Sequence, residues 1–280
     1  MAERIIVSLT TWSKRIGNIP VVLDTIFNQT KQPDLVVLNL AHDEIIPKEI
    51  QQYIDSHNVE VNRVEDTKVY KKLIPTLKKY PNDCVISIDD DWLYPKEMIA
   101  DFVSIHEKYP HFPISGNRKG HFGLQCHCGC ASLTKSEFLG KYLHMIDQEV
   151  IEHCPSDDIV YTYFSNKAGN PYIRTNGLYF TNLESYNDEE SYSENAVGND
   201  GIFLSFSYLI NRFGTIDDLF TPYIHDKYIG KLINGIFDSC IEDQKRITRK
   251  ETIAEIHNSH TYRLGRFFIK PFSFLKKVLR

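Results

Sequence analysis

Cys84-Val85-Ile86-Ser87-Ile88-Asp89-Asp90-Asp91-Trp92-Leu93-Tyr94-Pro95 sets a short, almost wholly apolar run directly against three carboxylates. Residues 84 to 88 suit a strand buried on both faces, as in a parallel sheet covered by helices on each side. Three adjacent carboxylates at the end of such a strand repel one another and are costly to desolvate. A divalent cation relieves both problems, because hard oxygen ligands suit Mg2+ or Mn2+. The other reading is a solvated acidic turn ahead of the helix that Pro95 opens, where negative charge is favourable.

Outward from this run the same alternation recurs. Ile5-Ile6-Val7-Ser8-Leu9-Thr10 reads as another central strand. After the polar turn Thr11-Trp12-Ser13-Lys14-Arg15, Ile19, Val22, Leu23, Ile26 and Phe27 recur at helical spacing. Strands are predicted at 36–40 and 59–64, and helices at 47–57 and 70–80, the second kinked or interrupted by Pro75. A helix after Pro95 carries Met98, Ile99, Phe102, Val103 and His106 on one face. Strands alternating with helices predict a doubly wound parallel sheet. Such sheets bind ligands at the carboxyl ends of their strands, which gathers Thr10, Thr11, His42, Asp43, Asp66 and Asp89 to Asp91 around one crevice. Beyond residue 110 the pattern becomes mixed, with shorter strands and more turns.

The composition, 42% hydrophobic and 25% charged, excludes a disordered chain, and 280 residues suffice for one large domain with a modest appendage. The net charge of −5 does not point to nucleic acid, and no apolar run is long enough to span a bilayer. No secretory signal and no disulfide framework are visible, so a cytosolic chain with reduced thiols is expected. Cys126-His127-Cys128-Gly129-Cys130 lacks the distant second ligand pair of a structural zinc site and reads instead as small residues packed where a substrate approaches.

Charge is unevenly spread. Residues 259–280 hold six basic and no acidic side chains, leaving 26 basic against 37 acidic, or −11, for the remainder. Arg263, Arg266, Lys270, Lys277 and Arg280 share one helical face, beside Leu264, Phe267, Leu275 and Val278. This predicts a basic amphipathic tail that binds an anionic membrane surface, interrupted at Pro271. The expected division is therefore a domain at 1–245 and a helical tail at 246–280.

Ser8-Leu9-Thr10-Thr11, Ile26-Phe27-Asn28-Gln29-Thr30-Lys31-Gln32-Pro33-Asp34, Tyr70-Lys71-Lys72-Leu73-Ile74-Pro75-Thr76-Leu77 and Ile88-Asp89-Asp90-Asp91-Trp92-Leu93-Tyr94-Pro95 together resemble bacterial polysaccharide glycosyltransferases of the GT-A class. The likeness extends to Pro155-Ser156-Asp157-Asp158-Ile159 and Gly198-Asn199-Asp200, so it covers about residues 4 to 215. It implies an α/β fold of the GT-A type, with a mixed, mostly parallel sheet. It also implies sugar transfer from a nucleoside diphosphate sugar, expected to be UDP-linked, to a glycan or lipid-linked glycan in surface polysaccharide synthesis. The enzyme would then work at the inner face of the cell membrane.

In the Asp-x-Asp pattern of such enzymes, Asp89 and Asp91 hold Mn2+ or Mg2+ on the donor diphosphate, with Asp90 beside them. Thr10, Thr11 and Arg15 lie near the nucleotide. Asp43 and Asp66 join the donor side through the strand-end rule. Lys71 or Lys72 meets phosphate or merely sits on an exposed helix face. Inverting transfer needs a base for the acceptor hydroxyl. Asp158 is expected in that role ahead of Asp157, both falling in the first turn of a helix that Ser156 caps. Those acids also suit a helix start for dipole reasons alone. Arg118, His121, Asn199 and Asp200 are expected on the acceptor side, and His225 is a conceivable third metal ligand. The alternatives are a sugar-phosphate nucleotidyltransferase, against which the glycine-free Thr10–Arg15 turn counts, and a non-catalytic glycan-binding protein.

Overall fold

The computed structural model of the chain describes residues 3–116, 127, 130–175, 181–183 and 198–214. Expectations for Arg118, His121, Cys126, Cys128, His225, the boundary at 245/246 and the tail at 259–280 fall outside the described residues.

The first half is laid down as strand and helix in turn: β1 (Ile5–Thr10), α1 (Ile19–Phe27), β2 (Leu35–Ala41), α2 (Lys48–Ser56), β3 (Glu60–Val64), α3 (Ile74–Lys79) and β4 (Cys84–Ile88). β1 pairs in parallel with β2 on one side and β4 on the other, and β2 pairs in parallel with β3. Ile6, Val7, Leu9, Val85, Ile86 and Ile88 are fully buried, as two-sided coverage of a parallel sheet requires. β3 lies at the sheet edge and is only half-buried.

Pro75 does more than kink the predicted 70–80 helix. A 3-10 segment spans Lys68–Lys72, and α3 begins afresh with Pro75 in its first turn, where a missing N–H leaves no bond unmade.

The chain then turns back. β5 (Trp92–Leu93), α4 (Met98–Lys108), β6 (Ile114–Ser115), β7 (Ala131–Thr134), α5 (Ser136–Leu139), α6 (Gln148–His153), α7 (Asp157–Lys167), β8 (Ile173–Arg174), β9 (Thr181–Asn182) and α8 (Gly198–Phe213) follow. β7 runs antiparallel to β4, β6 antiparallel to β7, and β8 parallel to β6. The sheet order is β3-β2-β1-β4-β7-β6-β8, with a separate antiparallel pair β5-β9. The sheet is thus mixed and mostly parallel in its first half, and β1 and β4 are central neighbours. Their carboxyl ends open side by side.

Candidate active site

Asp89, Asp90 and Asp91 follow β4, and Thr11 and Arg15 follow β1, so the ladder alone brings both groups to one end of the sheet. The backbone at Asp89 is held by Tyr94, whose hydroxyl accepts from the Asp89 amide (3.0 Å) and lies within donating reach of the Asp89 and Cys130 carbonyls (2.9 and 2.7 Å). The turn after it is held from α1. Gln29 donates to the Pro95 carbonyl (2.8 Å) and accepts from the Ile99 amide (3.0 Å). Asn18 donates to the Asp90 carbonyl (3.3 Å).

The carboxylates themselves are paired with cations. The Arg15 guanidinium contacts Asp90 and lies 2.7 Å from Asp91. Thr11 donates its hydroxyl to Asp90 at 2.5 Å. Lys72, only 4% exposed, lies 3.0 Å from Asp89 and 3.1 Å from Asp157. A lysine can be kept charged at such depth because three carboxylates surround it. Burial lowers its pKa, but Asp157, Asp89 and Asp158 outweigh that and hold it well above the ordinary lysine value.

Lys72 is aimed by a polar network within the sheet. Ser8 donates to the Lys72 carbonyl at 2.6 Å and lies 2.6 Å from the Thr76 hydroxyl. Asn39 donates to both hydroxyls at 3.0 Å. Two residues before the lysine, Tyr70 donates to the Cys154 carbonyl at 2.5 Å, bringing the start of α7 against the same segment. Asp157 and Asp158 open that helix as expected, but Ser156 makes no side-chain cap bond there. Asp157 is buried and engaged with Lys72, whereas Asp158 is half-buried.

Four carboxylates (Asp89, Asp90, Asp91, Asp157) face two cations (Arg15, Lys72), an excess of two negative charges. Without further positive charge, protons compensate. Burial raises Asp90 to about 7, with Arg15 and Thr11 opposing and Asp91 and Asp89 adding to the rise. Burial likewise raises Asp91 and Asp157, Asp89 repulsion contributing to both. One oxygen of Asp91 is buried and has no hydrogen-bond partner among the described residues. This donor set fits a hard divalent cation. Among the described residues the centre does not bring three such ligands within 4.8 Å of one another, so a cation here would need oxygens from a bound ligand or water.

Behind the cluster, His127 is buried with Nε2 3.3 Å from the Ser87 hydroxyl and Nδ1 2.9 Å from the Tyr172 hydroxyl. Burial, and then the charge of Lys72, press its pKa well below the ordinary value, so the imidazole is neutral. Its hydroxyl partners agree with a packing role for this member of the Cys-His-Cys run.

Among the described residues, the other expected ones make no ion pair with these carboxylates. Thr10 donates to the Asn39 carbonyl (2.8 Å), and Asp43 is exposed. Lys71 turns away from Lys72 to pair with Asp66, whose side chain is 62% exposed. Asn199 and Asp200 fall in the first turn of α8. Ser8, Asn39, Tyr70, Thr76 and Tyr94 support the site although nothing in their local sequence marks them. The signal available was a polar residue within a strand otherwise buried on both faces, as at Ser8 and Asn39.

Fold and acidic centre together define an α/β protein of the GT-A type, with a mixed seven-stranded sheet and the cluster at its carboxyl end. The particular likeness is to a mannosyltransferase from Pyrobaculum calidifontis solved with GDP-Man and Mn2+, at 15% identity and a TM-score of 0.59, covering 95% of this chain and 83% of that one. Two more partial likenesses are to a 4-diphosphocytidyl-2C-methyl-D-erythritol synthase and to glucosyl-3-phosphoglycerate synthase from Mycobacterium tuberculosis, the latter solved with Mn2+, UDP-glucose and phosphoglyceric acid. The first has 12% identity and a TM-score of 0.43, covering 68% of this chain and 97% of that one. The second has 15% and 0.38, covering 49% and 58%. No family model matches the sequence, and no curated protein does.

Proposed function

We propose that the chain is a metal-dependent glycosyltransferase that moves a sugar from a nucleoside diphosphate donor, UDP-linked, to a glycan or lipid-linked acceptor with inversion. The observation that carries this reading is the carboxylate excess at the carboxyl ends of β1 and β4, with one Asp91 oxygen buried and unpaired among the described residues. The fold it shares with a mannosyltransferase solved with GDP-Man and Mn2+ supports the same reading.

In this proposal Asp89 and Asp91 hold Mn2+ or Mg2+, the remaining oxygens coming from the donor diphosphate. When bound, the ion neutralises charge on the departing diphosphate. Arg15, which already spans Asp90 and Asp91, positions those carboxylates, and Thr10 and Thr11 border the nucleotide. Asp158 takes the proton of the acceptor hydroxyl. It is the more accessible acid of its pair, while Asp157 is committed to Lys72. Arg118, His121, Asn199 and Asp200 are assigned to the acceptor side, and His225 to the cation. Among the described residues no helix is long and apolar enough to cross a membrane. Contact with an anionic inner membrane face is assigned to residues 259–280.

A thermal-shift screen of nucleotide-sugars with and without Mn2+ tests the reading, since a ligand that binds the native state raises its apparent stability. A UDP-sugar should stabilise the wild-type chain only with Mn2+, and Asp91→Asn should lose that shift while remaining folded. A shift of wild-type size in the variant would remove Asp91 from the metal site, and no shift with any nucleotide-sugar would remove the activity.

A further inference from the structure

A different set of metal-binding side chains lies at the other end of β4. Cys84 is the first residue of that strand and pairs with Ile5 in the parallel ladder, two positions after Glu3. His106 comes from the last turn of α4. A Glu3 oxygen, the Cys84 sulfur and a His106 nitrogen lie within 4.8 Å of one another, the one such group of three among the described residues. Cys84 is fully buried and His106 is 8% exposed. Five residues at ~3.3 Å per residue separate Cys84 from Asp89, so this cluster lies roughly 16 Å from the acidic centre.

We infer that Glu3, Cys84 and His106 form a separate site for a zinc-type divalent cation. Thiolate, imidazole and carboxylate together are a donor set that zinc accepts and that magnesium, which prefers oxygen, does not. Zinc bond lengths of about 2.0 to 2.3 Å place tetrahedral donors about 3.3 to 3.8 Å apart. Glu3 Oε2 and His106 Nε2 are already 3.2 Å apart. The sulfur lies within 4.8 Å of both, and three protein donors leave one tetrahedral position for water.

The second shell is in place as well. Glu3 Oε1 accepts from Lys135 at 2.6 Å, and Lys135 is also paired with Glu137 at 2.5 Å. An outer partner of this kind orients a ligating carboxylate. The charges close locally: the cation balances the Glu3 carboxylate and the Cys84 thiolate, and Lys135 balances Glu137. The Phe138 ring packs edge-to-face with the His106 imidazole, 6.3 Å between ring centres. In the metal-free chain burial, with help from the Glu3 charge, pushes the Cys84 thiol well up, so cation uptake must release its proton. The bound ion would tie the residue ahead of β1, the start of β4 and the end of α4 into one clasp.

The full chain, stripped with a chelator, is titrated with Zn2+ and separately with Co2+. One equivalent should bind, the cobalt form should show sulfur-to-cobalt charge transfer in the near ultraviolet, and affinity should fall with pH. Cys84→Ser and His106→Gln should each lower zinc affinity more than ~10-fold, as even outer-partner losses do. Asp91→Asn should leave it unchanged, which separates this site from the proposed donor site. Absence of saturable zinc binding, cobalt spectra without the sulfur band, or tight binding retained in both ligand variants would overturn the assignment. Circular dichroism checks that the variants fold; where either does not, Glu3→Gln gives the same reading from the exposed edge of the site.

Discussion

Acidic residues from opposite halves of the chain meet at one centre, and they are supported differently. Asp90 and Asp91 are paired within their own layer, through Arg15 and Thr11 from the neighbouring strand. Asp157 opens a helix in the second half, and the cation it reaches is Lys72, which belongs to the first. Asp89 shares that lysine. The first half can therefore neutralise most of its acids before the second half docks. Asp157 cannot be buried without Lys72 in place, so this side chain couples the two halves.

The strongest way to break this comparison is Lys72→Met, which keeps length and removes charge. It strands a buried carboxylate, so the loss in denaturant unfolding should be about 3–5 kcal/mol, with sugar transfer lost as well. Wild-type stability in this variant would show that the halves are not coupled through Lys72.

Next in size is the contrast within the second pair. Asp158→Asn should lower turnover by about 10²-fold or more with donor affinity nearly unchanged, the scale of a lost general base. If Asp157→Asn instead gives the larger turnover loss with donor binding intact, the two acids exchange roles.

A smaller effect sharpens the first pair. Asp90 is raised from 3.8 to about 7. Between those values it holds a proton when folded and not when unfolded, so the unfolded chain binds fewer protons and stability falls as pH rises through that window. Metal-free protein should lose up to a few kcal/mol between about pH 4 and 7. Asp90→Asn should flatten that slope without abolishing it, because Asp91 and Asp157 are raised too. A denaturation series across this range that is flat for the wild type would contradict the buried charge excess.

Least of all should come from the adjacent lysine. Lys71 is as buried as Lys72, but its partner Asp66 is mostly exposed, so Lys71→Ala strands no buried carboxylate and should cost only the packing of its stem, about 1–2 kcal/mol in the same unfolding assay. A loss matching that of Lys72→Met would mean the segment, rather than the Lys72 charge, carries the coupling.

Much of the first half was legible because each element announces itself locally. Ile5–Thr10 and Cys84–Ile88 are apolar runs of strand length, the spacing of Ile19, Val22, Leu23 and Ile26 is helical, and Asp89–Asp91 stands at a strand end. The strand-end rule gives the end of the sheet and not the pairing of each side chain there. β2 and β3 lie progressively farther from β4 in the sheet, and Asp43 and Asp66, which follow them, are exposed. Lys71 and Lys72 could not be told apart in sequence: both are buried in a 3-10 segment, and only the tertiary partners, Asp66 for one and Asp89 with Asp157 for the other, separate them. The roles of Tyr70, Tyr94 and His127 were invisible for a similar reason, since their partners are set by tertiary contacts and not by pattern.

Gln29 carries a consequence for the order in which the chain is made. α4 has no cap bond from its own N-cap residue, Glu97, and the Ile99 amide in its first turn is satisfied instead by Gln29, seventy positions earlier. During synthesis residue 29 leaves the ribosome before any part of α4 exists. The helix therefore emerges toward a cap already held on α1, whose Thr25 carbonyl accepts from the same side-chain amide.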